Sequence, residues 1–159
     1  MADVELVELD PQPVAVVKGH VTVDGIPGFL GDAYNEVIRV LTTQGHKPAG
    51  PPFGRYERTD SGFFVVAGFP SPAPITAVGR VEADRLPGGP AASLLYRGDY
   101  AGIAAAYDAA QKWLAEHGYR EAGQPWEFYL DGPEVAQPRT ILQIPCAPRS
   151  GDTTRDREG

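Results

Sequence analysis

Gly118-Tyr119-Arg120-Glu121-Ala122-Gly123-Gln124-Pro125-Trp126-Glu127-Phe128-Tyr129-Leu130 sets one carboxylate inside an otherwise aromatic and apolar strand. Strand side chains alternate between faces, so Trp126, Phe128 and Leu130 are expected on one side, Glu127 and Tyr129 on the other. Spacing alone leaves two placements open for Glu127: the solvated face of a half-buried antiparallel strand, or a pocket. In a sheltered groove, an acid beside a tyrosine suits a cationic, aromatic guest, because full negative charge and ring faces both attract it.

The turn that opens this stretch has an earlier counterpart, Gly45-His46-Lys47-Pro48-Ala49-Gly50-Pro51-Pro52-Phe53-Gly54-Arg55-Tyr56. A shift of 73 residues lays Gly45, Ala49, Gly50, Pro52 and Tyr56 on Gly118, Ala122, Gly123, Pro125 and Tyr129. It also lays Gly25 on Gly98, Tyr34 on Tyr107 and Leu41 on Leu114. Chance does not readily produce such a set, so the chain reads as two copies of strand, helix, strand, strand, spanning residues 14–70 and 75–146. The expected fold class is α+β: an antiparallel sheet with two helices on one face and a ligand groove on the pseudo-twofold axis, along the uncovered face. Under the shift, Gly54 is the counterpart of Glu127. A glycine there leaves room beside a charge, as a cleft requires; the alternative is that it serves a bulge or a close approach.

The remaining elements follow from periodicity. Residues 14–23 read as a β-branched strand, and 31–44 as a helix with Ala33, Tyr34, Val37, Ile38 and Leu41 at helical spacing. A hairpin is expected over 53–57 and 63–69, with strands over 75–83 and 91–96. A second amphipathic helix covers 100–117, and a last strand 140–144. Residues 1–13 read as an N-terminal lead and 147–159 as a disordered tail.

Composition narrows the function. The 159 residues suit one domain with a sizeable core, and 42% are hydrophobic. The net charge of -7 and the absence of a basic stripe argue against direct nucleic-acid binding. A single cysteine, Cys146, excludes an internal disulfide and a cysteine-based zinc site; His20, His46 and His117 share no metal-ligand spacing. Neither a phosphate-cradling loop nor a nucleophile elbow is present, so neither metal nor cofactor is expected. With no leader-like N-terminus and no membrane-length apolar run, a cytoplasmic protein is expected, either monomer or homodimer.

Several segments together give residues 14–146 a resemblance to the GyrI-like small-molecule-binding domain, also called the AraC-type effector-binding domain. They are Val66-Ala67-Gly68-Phe69-Pro70, Leu86-Pro87-Gly88-Gly89, Tyr96-Arg97-Gly98-Asp99-Tyr100, Ala106-Tyr107, Trp113-Leu114, Gly118, Gly123 and Pro125 to Leu130. The resemblance implies a hydrophobic cleft that, in multidrug-responsive regulators, accepts bulky cationic aromatic compounds. It assigns the pairing with the guest's positive charge to Glu127 and the walls of the cleft to tyrosines and other aromatics. Such regulators carry a helix-turn-helix beside the domain. Nothing outside 14–146 is long enough for one, so the chain reads as a stand-alone member. Stand-alone relatives are implicated in sequestering toxic compounds or inhibiting gyrase, and others hydrolyse strained cyclopropane rings of DNA-alkylating compounds.

The expected ligand-binding set is Glu127, Tyr129, Tyr56, Gly54, Tyr96, Tyr100 and Trp126, for a cationic aromatic small molecule. Tyr56 and Tyr129, which match under the repeat, are the first wall candidates; Tyr100 alternatively staples a helix start. Trp126 faces the core if its strand is regular and the site if a bulge intervenes. Were the protein a hydrolase, Glu127 would act on a water with help from the Tyr129 hydroxyl. Tyr34, Tyr107 and Trp113, at helical spacing, are assigned to the core.

Overall fold

A computed structural model describes residues 4–132 and 134–149. In chain order the elements are β1 (Val4–Leu9), β2 (Gln12–Val21), α1 (Ile26–Thr43), β3 (Phe53–Thr59), β4 (Gly62–Pro70), β5 (Glu82–Leu86), β6 (Gly89–Arg97), α2 (Ile103–Glu116), β7 (Tyr119–Glu121), β8 (Trp126–Tyr129) and β9 (Arg139–Pro148). All strand pairs are antiparallel, so the chain is an α+β protein of antiparallel strands and two helices. It divides into two compact units. The N-terminal unit holds Pro11–Pro87 and Trp126–Phe128, and the C-terminal unit holds the described parts of 1–10, 88–125 and 129–159.

In the N-terminal unit, β2 pairs with both β4 and β5, β4 with β3, and β3 with β8. Helix α1 sends Ala33, Val37 and Leu41 onto Ala15, Val17, Val65 and Ala67 of β2 and β4. The helix begins five residues earlier than its apolar spacing predicts. Pro27 lies in its first turn, where a missing N–H leaves no hydrogen bond unmade. It ends in a Schellman turn: the Gly45 and His46 amides donate to the Thr42 and Leu41 carbonyls at 3.0 and 2.8 Å, with Gly45 at φ 81°.

In the C-terminal unit, β6 lies between β1 and β9, and β7 adds to β9. Helix α2 buries Ala106, Ala110 and Leu114 against Ala92, Leu94, Leu142, Ile144 and Cys146. These three helix positions stand 73 residues beyond Ala33, Val37 and Leu41, and Gly118 repeats the φ of 81° found at Gly45.

Two expectations need correction. Residues 4–9, read as part of a lead, form a strand paired with β6 along its whole length, from Val4↔Leu94 to Leu9↔Gly89. The order Val-Glu-Leu-Val-Glu-Leu breaks strict alternation, so only the tertiary partner reveals the strand. The strand expected over 75–83 is instead a loop whose Ile75 and Val81 plug the α1 core, with β5 starting at Glu82. Gly79, at φ 58°, turns the chain between Val78 and Val81, whose backbones exchange two hydrogen bonds. Two side-chain ties hold this loop on α1: Glu36 with Arg80, and Gln44 with the Thr76 backbone. In the expected turn Asp131-Gly132-Pro133, Pro133 lies outside the described residues, as does the expected tail from residue 150 onward.

Candidate functional site

Glu127 enters the N-terminal unit through a two-residue register, Phe53↔Phe128 and Gly54↔Glu127. The residues that the 73-residue shift equates are therefore directly opposed across the strand pair, with Cα atoms about 4.5–5.5 Å apart in such a ladder. Glu127 is 8% exposed, one of three buried polar side chains among the described residues.

Directly opposed residues of antiparallel strands share a face, so the register fixes which way Glu127 points. Gly54 opposes Ala67, Ala67 opposes Val17, and Tyr56 opposes Val65. Val17, Val65 and Ala67 all lie in the core under α1, with Tyr56 packed against its margin. Glu127, Gly54 and Tyr56 thus belong to the face that α1 packs on, which corrects the expectation of an uncovered face. Alternation says which residues sit together, not which side of the sheet the helix takes.

The opposite face carries Trp126 and Phe128. Trp126 is 1% exposed, and the Arg55 guanidinium stacks on its ring at 5.2 Å. Phe53 and Phe128 meet at 6.1 Å between ring centroids. Burial pulls the Arg55 guanidinium below its usual pKa, and Asp84 opposes the shift. Lys18 sits 3.3 Å from Asp84 and 3.7 Å from Glu82. The β8 register is regular, so Trp126 braces the back of the strand that presents Glu127.

The room expected beside Gly54 is filled. A methyl group built on Gly54 would lie 2.7 Å from Tyr56 Oη and 3.0 and 3.1 Å from its Cζ and Cε2. The half-buried Tyr56 ring therefore lies back along β3, over the glycine that opposes Glu127. At Gly54 it is the ring of Tyr56 as placed, not the backbone, that leaves no room for a side chain.

Of the seven expected site residues, Gly54, Tyr56, Glu127 and Trp126 fall in the N-terminal unit, and the first three share a face. Tyr96, Tyr100 and Tyr129 fall in the C-terminal unit. Tyr96 donates its hydroxyl to the Asp99 carbonyl at 2.6 Å, bracing the turn into α2. Tyr100 opens the 3-10 turn Tyr100–Gly102, and its side chain lies outside the described residues. Tyr129 closes β8 and is half-buried.

Sequence reasoning missed Thr140. It is fully buried opposite Tyr96, and its Oγ1 has no hydrogen-bond partner among the described residues. Among these residues there is also no group of three His, Cys, Asp or Glu placed to hold a metal ion, and no helix is long and apolar enough to cross a membrane.

Comparison with solved structures yields the same fold several times. The chain is similar to EcmrR in a cryo-EM structure of an EcmrR–DNA complex: TM-score 0.79, 18% identity, 92% of this chain covered. It spans 58% of that EcmrR chain. With the crystal structure of the EcmrR C-terminal domain the TM-score is 0.76 at 20% identity, covering 93% of this chain and 99% of that one. A hydrolase from Listeria innocua gives a TM-score of 0.69 at 14% identity, over 91% of each chain. No curated protein sequence matches. The GyrI-like small molecule binding domain matches residues 2–147, and the chain belongs to that family.

Proposed function

We propose that this domain binds amphipathic, cationic aromatic small molecules, with Glu127 supplying the opposing charge and Tyr56 an aromatic wall. The observation that carries this reading is a strand carboxylate at 8% exposure, set opposite a glycine on an otherwise apolar, helix-packed face. Attraction between a carboxylate withdrawn from water and a guest's positive charge is stronger than in water, and a neutral guest of equal shape lacks it. The match of residues 2–147 to a small molecule binding domain supports a ligand-binding role.

Binding of cationic and neutral aromatic dyes, followed by quenching of Trp113 and Trp126, tests the reading. Glu127→Gln is expected to weaken cationic dyes by about 2–5 kcal/mol and to leave neutral ones nearly unchanged. Equal losses for both would make Glu127 a structural residue only.

The fold shared with the Listeria innocua hydrolase supports a second reading, in which Glu127 orients a water that opens a strained cyclopropane ring. More than one ring-opened product per chain separates turnover from binding.

A further inference from the structure

In the C-terminal unit β1 pairs with β6 on one side, and its other edge has no strand partner among the described residues. An open edge presents a row of backbone donors and acceptors, which charged side chains commonly guard against pairing with another chain. Val4 and Leu6 lie on the face that α2 packs on, since they oppose Leu94 and Ala92 of its core. Val4 packs against that core, whereas Leu6 is 43% exposed, so the apolar floor runs out at the open edge. In the N-terminal unit β5 is also an edge among the described residues, paired with β2 alone. Its exposed residues include Glu82, Asp84 and Arg85.

A twofold axis normal to a sheet joins two copies of one edge as antiparallel strands. Directly opposed residues share a face, so paired residue numbers add to an even sum and one residue meets its own copy. On β5 every central choice sets like charges opposite: Glu82 on Asp84 about Ala83, Asp84 on itself, or Arg85 on itself. On β1 neither central choice does. About Leu6, Glu5 meets Val7 and Glu8 meets Val4; about Val7, Glu5 meets Leu9 and Glu8 meets Leu6. The repeat Val-Glu-Leu, three residues long, keeps the acids from facing each other under a rule that sorts residues in twos.

We propose that β1 is a dimerisation edge, at which two copies of this chain pair antiparallel about Leu6. Leu6 is the central residue because it is exposed while Val7 is half-buried, and the two Leu6 side chains continue the apolar floor across the axis. Glu5 approaches its own copy only diagonally, at about 7–8 Å, a repulsion that added salt weakens. One strand pair is smaller than the roughly 1,200–2,000 Å² of a stable interface, so the dimer is weak and depends on concentration. None of these residues belongs to the Glu127 site, which lies in the N-terminal unit.

Sedimentation equilibrium of the full chain, from about 10 µM to about 1 mM, tests the pairing. A reversible rise from monomer to dimer mass is expected, at lower concentration in about 0.5 M salt than in about 0.05 M. Leu6→Lys sets two like charges face to face at the axis and is expected to raise the dissociation constant about tenfold or more. Leu6→Cys and Glu8→Cys test the register, with oxidised glutathione as the oxidant. Cys146 is 3% exposed, so the added thiol is the accessible one. Leu6→Cys is expected to form an inter-chain disulfide about tenfold or more faster than Glu8→Cys, whose two thiols stand about 13 Å apart along the strands. If Leu6→Lys does not fold, the wild-type mass and the two disulfide rates still decide. A wild type that stays monomeric to about 1 mM overturns the pairing, as do equal disulfide rates or an unchanged dissociation constant in folded Leu6→Lys. A mass that climbs past the dimer also overturns it, because a closed twofold stops at two copies.

Discussion

Two tyrosines in this chain lie folded over glycines, one in each unit, and the arrangements differ in the backbone beneath the ring. In the C-terminal unit Tyr96 covers Gly98 and Gly102, and its hydroxyl is fastened to the Asp99 carbonyl at 2.6 Å. Gly102 in turn donates its amide to Asp99 Oδ1 at 3.1 Å, so ring, turn and helix entry form one hydrogen-bonded piece. In the N-terminal unit Tyr56 covers Gly54 on a regular strand, half-buried at the margin of the α1 core and next to the position of a buried carboxylate. Both tyrosines belong to the expected set of ligand contacts. Gly98 is fixed by its own backbone conformation as well as by the ring above it, whereas Gly54 is constrained by the ring alone.

The sharpest way to break this contrast is to add the same methyl group to both glycine floors. Gly98 has φ 147°, a conformation that residues with a Cβ rarely adopt. Its methyl would also stand 2.8 Å from a Tyr96 hydroxyl that is already bonded. Gly98→Ala is expected to lower the unfolding free energy by about 1–3 kcal/mol. Gly54→Ala meets only the movable end of Tyr56 and is expected to cost well under that. Urea titrations of both variants measure the difference; equal losses would mean that Tyr56 is as firmly braced as Tyr96.

A smaller effect of opposite sign is expected at Thr140, the counterpart of Ala67 under the 73-residue shift. Where the N-terminal unit places a methyl group, the C-terminal unit places a fully buried hydroxyl whose Oγ1 has no partner among the described residues. An unsatisfied buried polar atom costs free energy, and an apolar group of the same shape removes that cost. Thr140→Val is therefore expected to raise stability by about 1 kcal/mol in the same titration. A loss instead would show that the hydroxyl is satisfied in solution.

How much of this was legible follows from what each signal encodes. The helical triplets Ala33-Val37-Leu41 and Ala106-Ala110-Leu114 are readable because burial on a helix follows a fixed period. The equivalence of Gly54 and Glu127 is readable from the shift, but their direct opposition is not, since register depends on which strands meet. Parity places Glu127 and Tyr56 together correctly yet is silent on which side of the sheet the helix takes. Side-chain torsions leave no trace in residue order, so the filling of the Gly54 space by Tyr56 and the tying of Tyr96 to Asp99 both needed coordinates. Strand β1 is hidden for a related reason: its order comes from β6, not from its own pattern.

The smallest expected effect compares the charged clamps of the two units. Glu36 of α1 receives Arg80 through 2.6 and 2.9 Å bonds, and Asp131 receives Arg139 through 2.9 and 3.1 Å bonds. Hydrogen bonding by each arginine holds its carboxyl below the usual carboxylate range. A carboxyl with a lowered folded-state pKa contributes stability above its unfolded pKa, and that contribution is lost as the pH falls through the folded value. Both clamps therefore act fully at neutral pH and fade below about pH 4. The Arg80 and Arg139 guanidiniums are each more than 40% exposed, so solvent and salt screen the gain. Asp131→Asn should flatten the acid limb of stability against pH slightly, and more at low than at high ionic strength. Glu36→Gln should do the same, with amide exchange at pH 7 quickened in the 71–81 loop that Arg80 holds on α1. If neither variant alters the acid limb, the pairs orient their loops without stabilising them.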